Sequence, residues 1–124
     1  MIVRHAEAAA GHPDELRPLT SEGREQARRL GERLRADGVA PDALVCSPLL
    51  RARETAAALG LGEPEVDDRL APGATPDDVR AVAEGRGGTV IVVGHQPDCG
   101  RAAAALGGAV EPSFPPAGHA TVEL

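Results

Sequence analysis

Thr89-Val90-Ile91-Val92-Val93-Gly94-His95-Gln96-Pro97 decides the fold. β-Branched residues run from Thr89 to Val93 without a break, and Gly94 ends the run. A strand with one wet face alternates apolar and polar residues. An unbroken apolar run is a strand covered on both faces, which is the situation inside a parallel sheet flanked by helices. Working outward, two shorter segments have the same character, Met1-Ile2-Val3 and Ala43-Leu44-Val45-Cys46. Glu65-Val66-Asp67 reads as a further short strand, and the alternation of Ala120-Thr121-Val122-Glu123-Leu124 suggests a final edge strand.

Helical segments lie between these strands. Thr20 is placed to cap a helix with Glu22 in its first turn; Ala27, Leu30 and Leu34 recur at helical spacing, and Gly38 stops it. Ser47-Pro48 has the form of a second helix start, with Gly60 as its stop. Thr75-Pro76-Asp77-Asp78 opens a third that Gly85 ends, and a fourth is expected from Pro97 to Leu106. Alternating strands and helices predict an α/β fold: a three-layer α/β/α sandwich around a mainly parallel sheet, compact and without a large inserted cap. No linker, repeat or low-complexity tract divides the chain, so one domain over residues 1–124 is expected.

Composition narrows the function classes. The 124 residues carry 13 basic and 19 acidic side chains, a net charge of −6, and every basic residue is Arg. Phe114 is the one aromatic. Negative charge without stacking platforms argues against a nucleic-acid partner. No stretch approaches the ~18 apolar residues of a membrane span, and no secretory leader is visible at the N-terminus. Cys46 and Cys99 form neither a disulfide framework nor a zinc spacing. A cytoplasmic, monomeric protein is the expectation.

Ligands of open parallel sheets bind beyond the carboxyl ends of the strands. Arg4 and His5 follow the first strand; Ser47, Pro48 and, one helical turn on, Arg51 follow the second; Gly94, His95 and Gln96 follow the third. Two His and two Arg thus converge on one edge, a cationic pocket in an acidic protein. Guanidinium forks fit phosphoryl oxygens, helix N-termini add N–H donors, and a neutral imidazole can attack phosphorus. Arginines aimed at the equatorial oxygens stabilise the transition states, and the chemistry asks for no metal or other cofactor.

Arg4-His5-Ala6-Glu7 after an N-terminal strand resembles the Arg-His-Gly motif of the histidine phosphatase (phosphoglycerate mutase-like) superfamily. Arg17-Pro18-Leu19-Thr20 with Gly23, Ser47-Pro48-Leu49-Leu50-Arg51-Ala52 with Thr55-Ala56, and Val93-Gly94-His95-Gln96-Pro97 continue the resemblance over almost the whole chain. It implies His5 as nucleophile, with Arg4, Arg51 and His95 forming the phosphate pocket and Gln96 beside them. The short length is similar to the SixA-type phosphohistidine phosphatases. So is Leu70-Ala71-Pro72-Gly73, where relatives that cleave phosphate esters place a Glu proton donor and this chain has Pro72. An alkoxide leaving group needs a general acid worth about 10²- to 10⁴-fold, whereas imidazole leaves phosphohistidine readily. The expected substrate is therefore a phosphohistidine protein, such as a phosphotransfer domain of a signalling relay; a small phosphorylated metabolite is the alternative. Glu7 and Asp68 are the first candidates for a substitute donor, with Asp67 and Asp98 behind them.

Departures from the pattern carry their own expectations. Ala6 replaces a glycine, which puts a positive φ there in doubt. Only three residues precede Arg4, which points to a start truncated or assigned downstream of the true one. Native mass showing Met1 as the terminus would end that expectation.

Blander readings stand beside these. Arg51 and His95 alone would be a solvated helix arginine and a structural histidine; Arg17 reads as a surface ion pair, with bracing of the pocket loop as the alternative; His12 and His119 read as surface or loop residues. Cys46 reads as a small buried apolar group; Cys99 sits at a helix start, a place that can lower a thiol pKa, but no partner there suggests catalysis. His5-Ala6-Glu7 with Pro97-Asp98-Cys99 echoes a zinc deaminase signature, but Cys99 lacks the second cysteine. A non-catalytic phosphate-binding module is the remaining alternative.

Overall fold

The structure, a computed structural model, describes residues 1–108 and 111–124. The unbroken apolar run forms strand β4 (Val90–Gly94), buried at every residue. It pairs in parallel with β1 (Ile2–Arg4) on one side and with β2 (Ala43–Cys46) on the other. The two-residue β3 (Glu65–Val66) extends the sheet beyond β2, also in parallel, and β5 (His119–Ala120) pairs antiparallel with β1. The order is β3-β2-β4-β1-β5.

Strand alternation sorts β4 into two cores. Val90 and Val92 face Ile2, Val45, Leu70, Val82 and Phe114. Ile91 and Val93 face Val3, Leu44, Cys46 and Leu30. Helices α1 (Ser21–Ala36) and α2 (Leu50–Ala58) pack together over the second core, and α3 (Pro76–Ala83) and α4 (Asp98–Gly107) over the first. The result is the expected α/β/α sandwich, with no inserted helical cap among the described residues.

Local chemistry explains most boundaries. Thr20 Oγ1 accepts from Gly23 N at 2.9 Å to cap α1, and Thr75 and Asp78 close a reciprocal capping box on α3. Gly38 and Gly60 take φ of 81° and 65° beyond α1 and α2, the left-handed geometry that costs glycine little.

Two expectations need correction. Helix α2 begins at Leu50 rather than at Ser47-Pro48, and its N-cap Leu49 makes no side-chain cap. The Ser47 hydroxyl that would have capped it is turned into the strand-end site. The last strand occupies His119–Ala120 instead of running on to Leu124, because β1 offers no partner beyond Met1 for the residues after Ala120.

Candidate active site

The sheet brings the two histidines together through backbone pairing. Arg4 lies opposite Gly94 in the β1–β4 register, and His5 N–H donates to Gly94 O at 3.0 Å. One residue past each strand end, the His5 and His95 rings lie with centroids 5.3 Å apart, tilted by 58°. Ser47 N–H donates to Val93 O at 3.0 Å and carries the β2 end to the same place.

The hydrogen bonds define the protonation of each ring. His5 Nδ1 is 2.7 Å from Ala6 O. A carbonyl only accepts, so Nδ1 holds the proton and Nε2 presents its lone pair. Burial, reinforced by the charges of Arg51, Arg4 and Arg17, lowers the His5 pKa from 6.5 to about 4, against the hydrogen bond to Ala6 that favours the proton. At neutral pH this is a neutral imidazole, the form that can attack phosphorus.

His95 is the complement. Its Nε2 lies 2.8 Å from Ser47 Oγ, which is fully buried and also accepts from Leu49 N–H at 3.2 Å. Among the described residues, His95 Nε2 is the one acceptor recorded for the Ser47 hydroxyl proton. The hydroxyl therefore donates to Nε2, and His95 carries its own proton on Nδ1. That Nδ1 is buried and has no partner among the described residues. Burial, followed by the His5 and Arg51 charges, lowers the His95 pKa to about 4, so the ring is a neutral donor.

Three guanidiniums surround the pair. Arg4 donates to Phe114 O at 2.9 Å, and its buried Nε is unpartnered among the described residues. Arg51 is 7% exposed and donates from Nη1 to Asp14 O at 3.0 Å and from Nη2 to Asp14 Oδ2 at 3.2 Å. Arg17 donates from Nε to Ala9 O and from Nη1 to Asp14 Oδ1, so it braces the loop and forms the ion pair. Thr55 Oγ1 locks the frame, donating to Arg51 O at 2.7 Å and accepting from Ala6 N–H at 3.0 Å. Ala6 is accommodated without a positive φ.

The remaining candidates are otherwise engaged. Gln96 Oε1 accepts from Gly100 N–H inside α4, and Glu7 Oε1 accepts from Thr20 Oγ1. Asp67 pairs with Arg69; Asp68 lies exposed on the turn after β3; buried Asp98 accepts from Gly73 N–H and ties the Pro72 loop to α4. His12 and His119 are exposed. Cys46 is buried. At Cys99 the helix start does not lower the thiol: burial and then the Asp98 charge push it up to about 12, and its Sγ faces Val3 O. Sequence reasoning missed Asp14, which no local pattern marks, and the Ser47–His95 bond, which spans 48 residues.

A ring lone pair, the His95 Nδ1–H and the Arg4 Nε–H, the last two unpartnered among the described residues, meet on one sheet edge, an arrangement that can hold a tetrahedral oxyanion. A groove of about 660 Å³ lies elsewhere, at the other end of the strands, lined by Met1, Val39, Thr89 and Val122. It holds none of these groups.

Comparison with known proteins agrees with this architecture. The family model described as "Histidine phosphatase superfamily (branch 1)" matches residues 1–72. An uncharacterised protein of Mycobacterium tuberculosis is 39% identical over 101 residues, 77% of this chain and 63% of that protein. The chain therefore spans less than two-thirds of the length of this curated relative. The mitochondrial serine/threonine-protein phosphatase Pgam5 of Drosophila persimilis is 42% identical over 57 residues, 45% of this chain and 20% of that one. Among solved structures, the protein histidine phosphatase SixA complexed with tungstate superposes with a TM-score of 0.83 at 28% identity, over 94% of this chain and 81% of that chain. The chain belongs to branch 1 of the histidine phosphatase superfamily and has a SixA-like fold.

Proposed function

We propose that this chain is a single-domain phosphatase working through a phosphohistidine intermediate on His5. The observation that carries the reading is the His5 ring itself: Nδ1–H is committed to Ala6 O, which leaves the Nε2 lone pair beside the unpartnered His95 Nδ1–H. In the first step Nε2 forms a bond to phosphorus as the bond to the leaving group breaks, and that group departs with the electron pair and takes up a proton. Arg4, Arg51 and His95 hold the equatorial oxygens. In the second step water attacks the phosphorylated His5, the P–N bond breaks, and inorganic phosphate leaves.

A phosphohistidine side chain is the substrate class that fits best. Pro72 stands in the loop where an ester-cleaving relative would hold a carboxylic acid, and Asp98 anchors that loop by Gly73. No cap covers the edge among the described residues, which suits a donor carried on a protein surface. The solved relative with this shape is named a protein histidine phosphatase and binds tungstate, a tetrahedral oxyanion like phosphate.

Rapid quench with labelled phosphohistidine protein, and with a phenyl phosphate ester, tests the reading. Wild type is expected to trap an acid-labile, base-stable label that His5→Ala does not. Equal label on His5→Ala would remove His5 as nucleophile. Faster turnover of the ester would reassign the substrate to small phosphate monoesters.

A further inference from the structure

Asp14 stands where an anion belongs. Its carboxylate bridges two guanidiniums, Oδ1 to Arg17 Nη1 at 2.9 Å and Oδ2 to Arg51 Nη2 at 3.2 Å. Its own carbonyl accepts from Arg51 Nη1 at 3.0 Å, so one residue takes hydrogen bonds from both terminal nitrogens of Arg51. The Asp14 carbonyl oxygen and Oδ2, held this way, give the Arg51 fork the two acceptors that two oxygens of a phosphoryl group would give it.

The ends of the pair differ in burial. The Arg51 side chain is 8% exposed and the Asp14 side chain 58% exposed. Arg51 is thus fixed inside the site, while its partner reaches in from outside. Asp14 belongs to the short 3-10 turn Asp14–Leu16, which buries no residue, so withdrawing the turn sacrifices little packing. The guanidiniums hold the Asp14 carboxyl below the usual carboxylate range, Arg17 first and Arg51 after it. The Asp14 charge in turn opposes the lowering of the His95 pKa, which places it within electrostatic reach of the ring pair.

We propose that Asp14 is a tethered anion that occupies Arg51 in the empty enzyme and competes with the phosphoryl group for it. A phosphoryl group seated at His5 needs the Arg51 N–H groups that Asp14 uses, and two anions cannot share that fork without repulsion. Substrate binding moves the Asp14 turn aside; after the second chemical step the carboxylate returns and helps to displace inorganic phosphate. Such a competitor weakens substrate and product by the same factor, so it acts on KM and on product inhibition and not on the chemical step. The proposal rests on the phosphoryl-site reading given above.

Titration calorimetry with inorganic phosphate, together with steady-state kinetics of phosphohistidine hydrolysis, tests it on Asp14→Asn and Asp14→Ala. Both variants are expected to bind phosphate about five- to tenfold more tightly than wild type, with KM lowered by a similar factor and kcat not raised. Wild type binding phosphate while both variants bind it no more tightly would overturn the role of Asp14 and leave the site reading intact. A lower kcat at unchanged KM would also overturn it, by assigning Asp14 to the chemical step. Phosphate failing to bind wild type and both variants would overturn the anion site itself, and this proposal with it.

Discussion

A single hydroxyl decides what His95 offers a ligand. With Ser47 donating to Nε2, the ring shows an N–H to the site; with the tautomer reversed, it would show a lone pair to an incoming anion. Ser47→Ala removes that bias and strips the Leu49 N–H and His95 Nε2 of their shared partner. The expected cost is about 1–3 kcal/mol of stability and roughly a ten- to hundredfold loss of kcat/KM. Ring ¹⁵N shifts of His95 should show a single Nδ1–H tautomer in wild type and a mixture in the variant. An unchanged tautomer with an unchanged rate would show that Ser47 does not orient the ring. Ala6 teaches a smaller lesson at this scale. Its substitution for glycine is harmless because the position has no positive φ; what the site asks of it is the N–H that bonds Thr55.

The elements meet through close backbone approaches that composition does not advertise. Gly31 sits on the buried face of α1, where an added Cβ would lie 1.9 Å from Leu59 O at the end of α2. Gly31→Ala must push α1 and α2 apart and is expected to destabilise the protein by about 2–3 kcal/mol, read as a lower urea midpoint with a native-like far-ultraviolet spectrum. An unchanged midpoint would mean that the two helices are free to shift. Strand β4 was legible because burial on both faces writes itself into consecutive residues. The α1 and α3 caps were legible because they are local. The start of α2 was not, since Ser47-Pro48 looks like a cap until the hydroxyl finds a histidine 48 residues away. The last strand was not, since alternation continued beyond the end of its partner. The convergence of Arg4, His5, Arg51 and His95 could be read because it needs only the strand ends and a parallel sheet. Asp14 could not, because its place depends on the path of a turn.

At the scale of the molecule, two neutral buried histidines make stability depend on pH. Each has a pKa of about 4 in the fold, below its value of 6.5. Between those values the unfolded chain binds more protons than the folded one, so stability rises with pH across the window. It is fully present above 6.5 and declines as pH falls toward 4. Urea midpoints measured from pH 7 to pH 4.5 should fall, and a His5→Gln, His95→Gln double variant should lose much of that slope. An equal slope in both proteins would show that the two rings do not titrate as described. The acidic average of the chain, −6, likewise hides a cationic corner that appears only when residues are placed by strand end.

The β1–β4 pairing has a consequence for that corner. Neighbouring strands lie about 4.8 Å apart, and the 5.3 Å between the two imidazoles is close to that repeat. The gap is a lattice constant of the sheet. Loops and helices can drift in sequence and position while the spacing of the two rings follows the strand pairing.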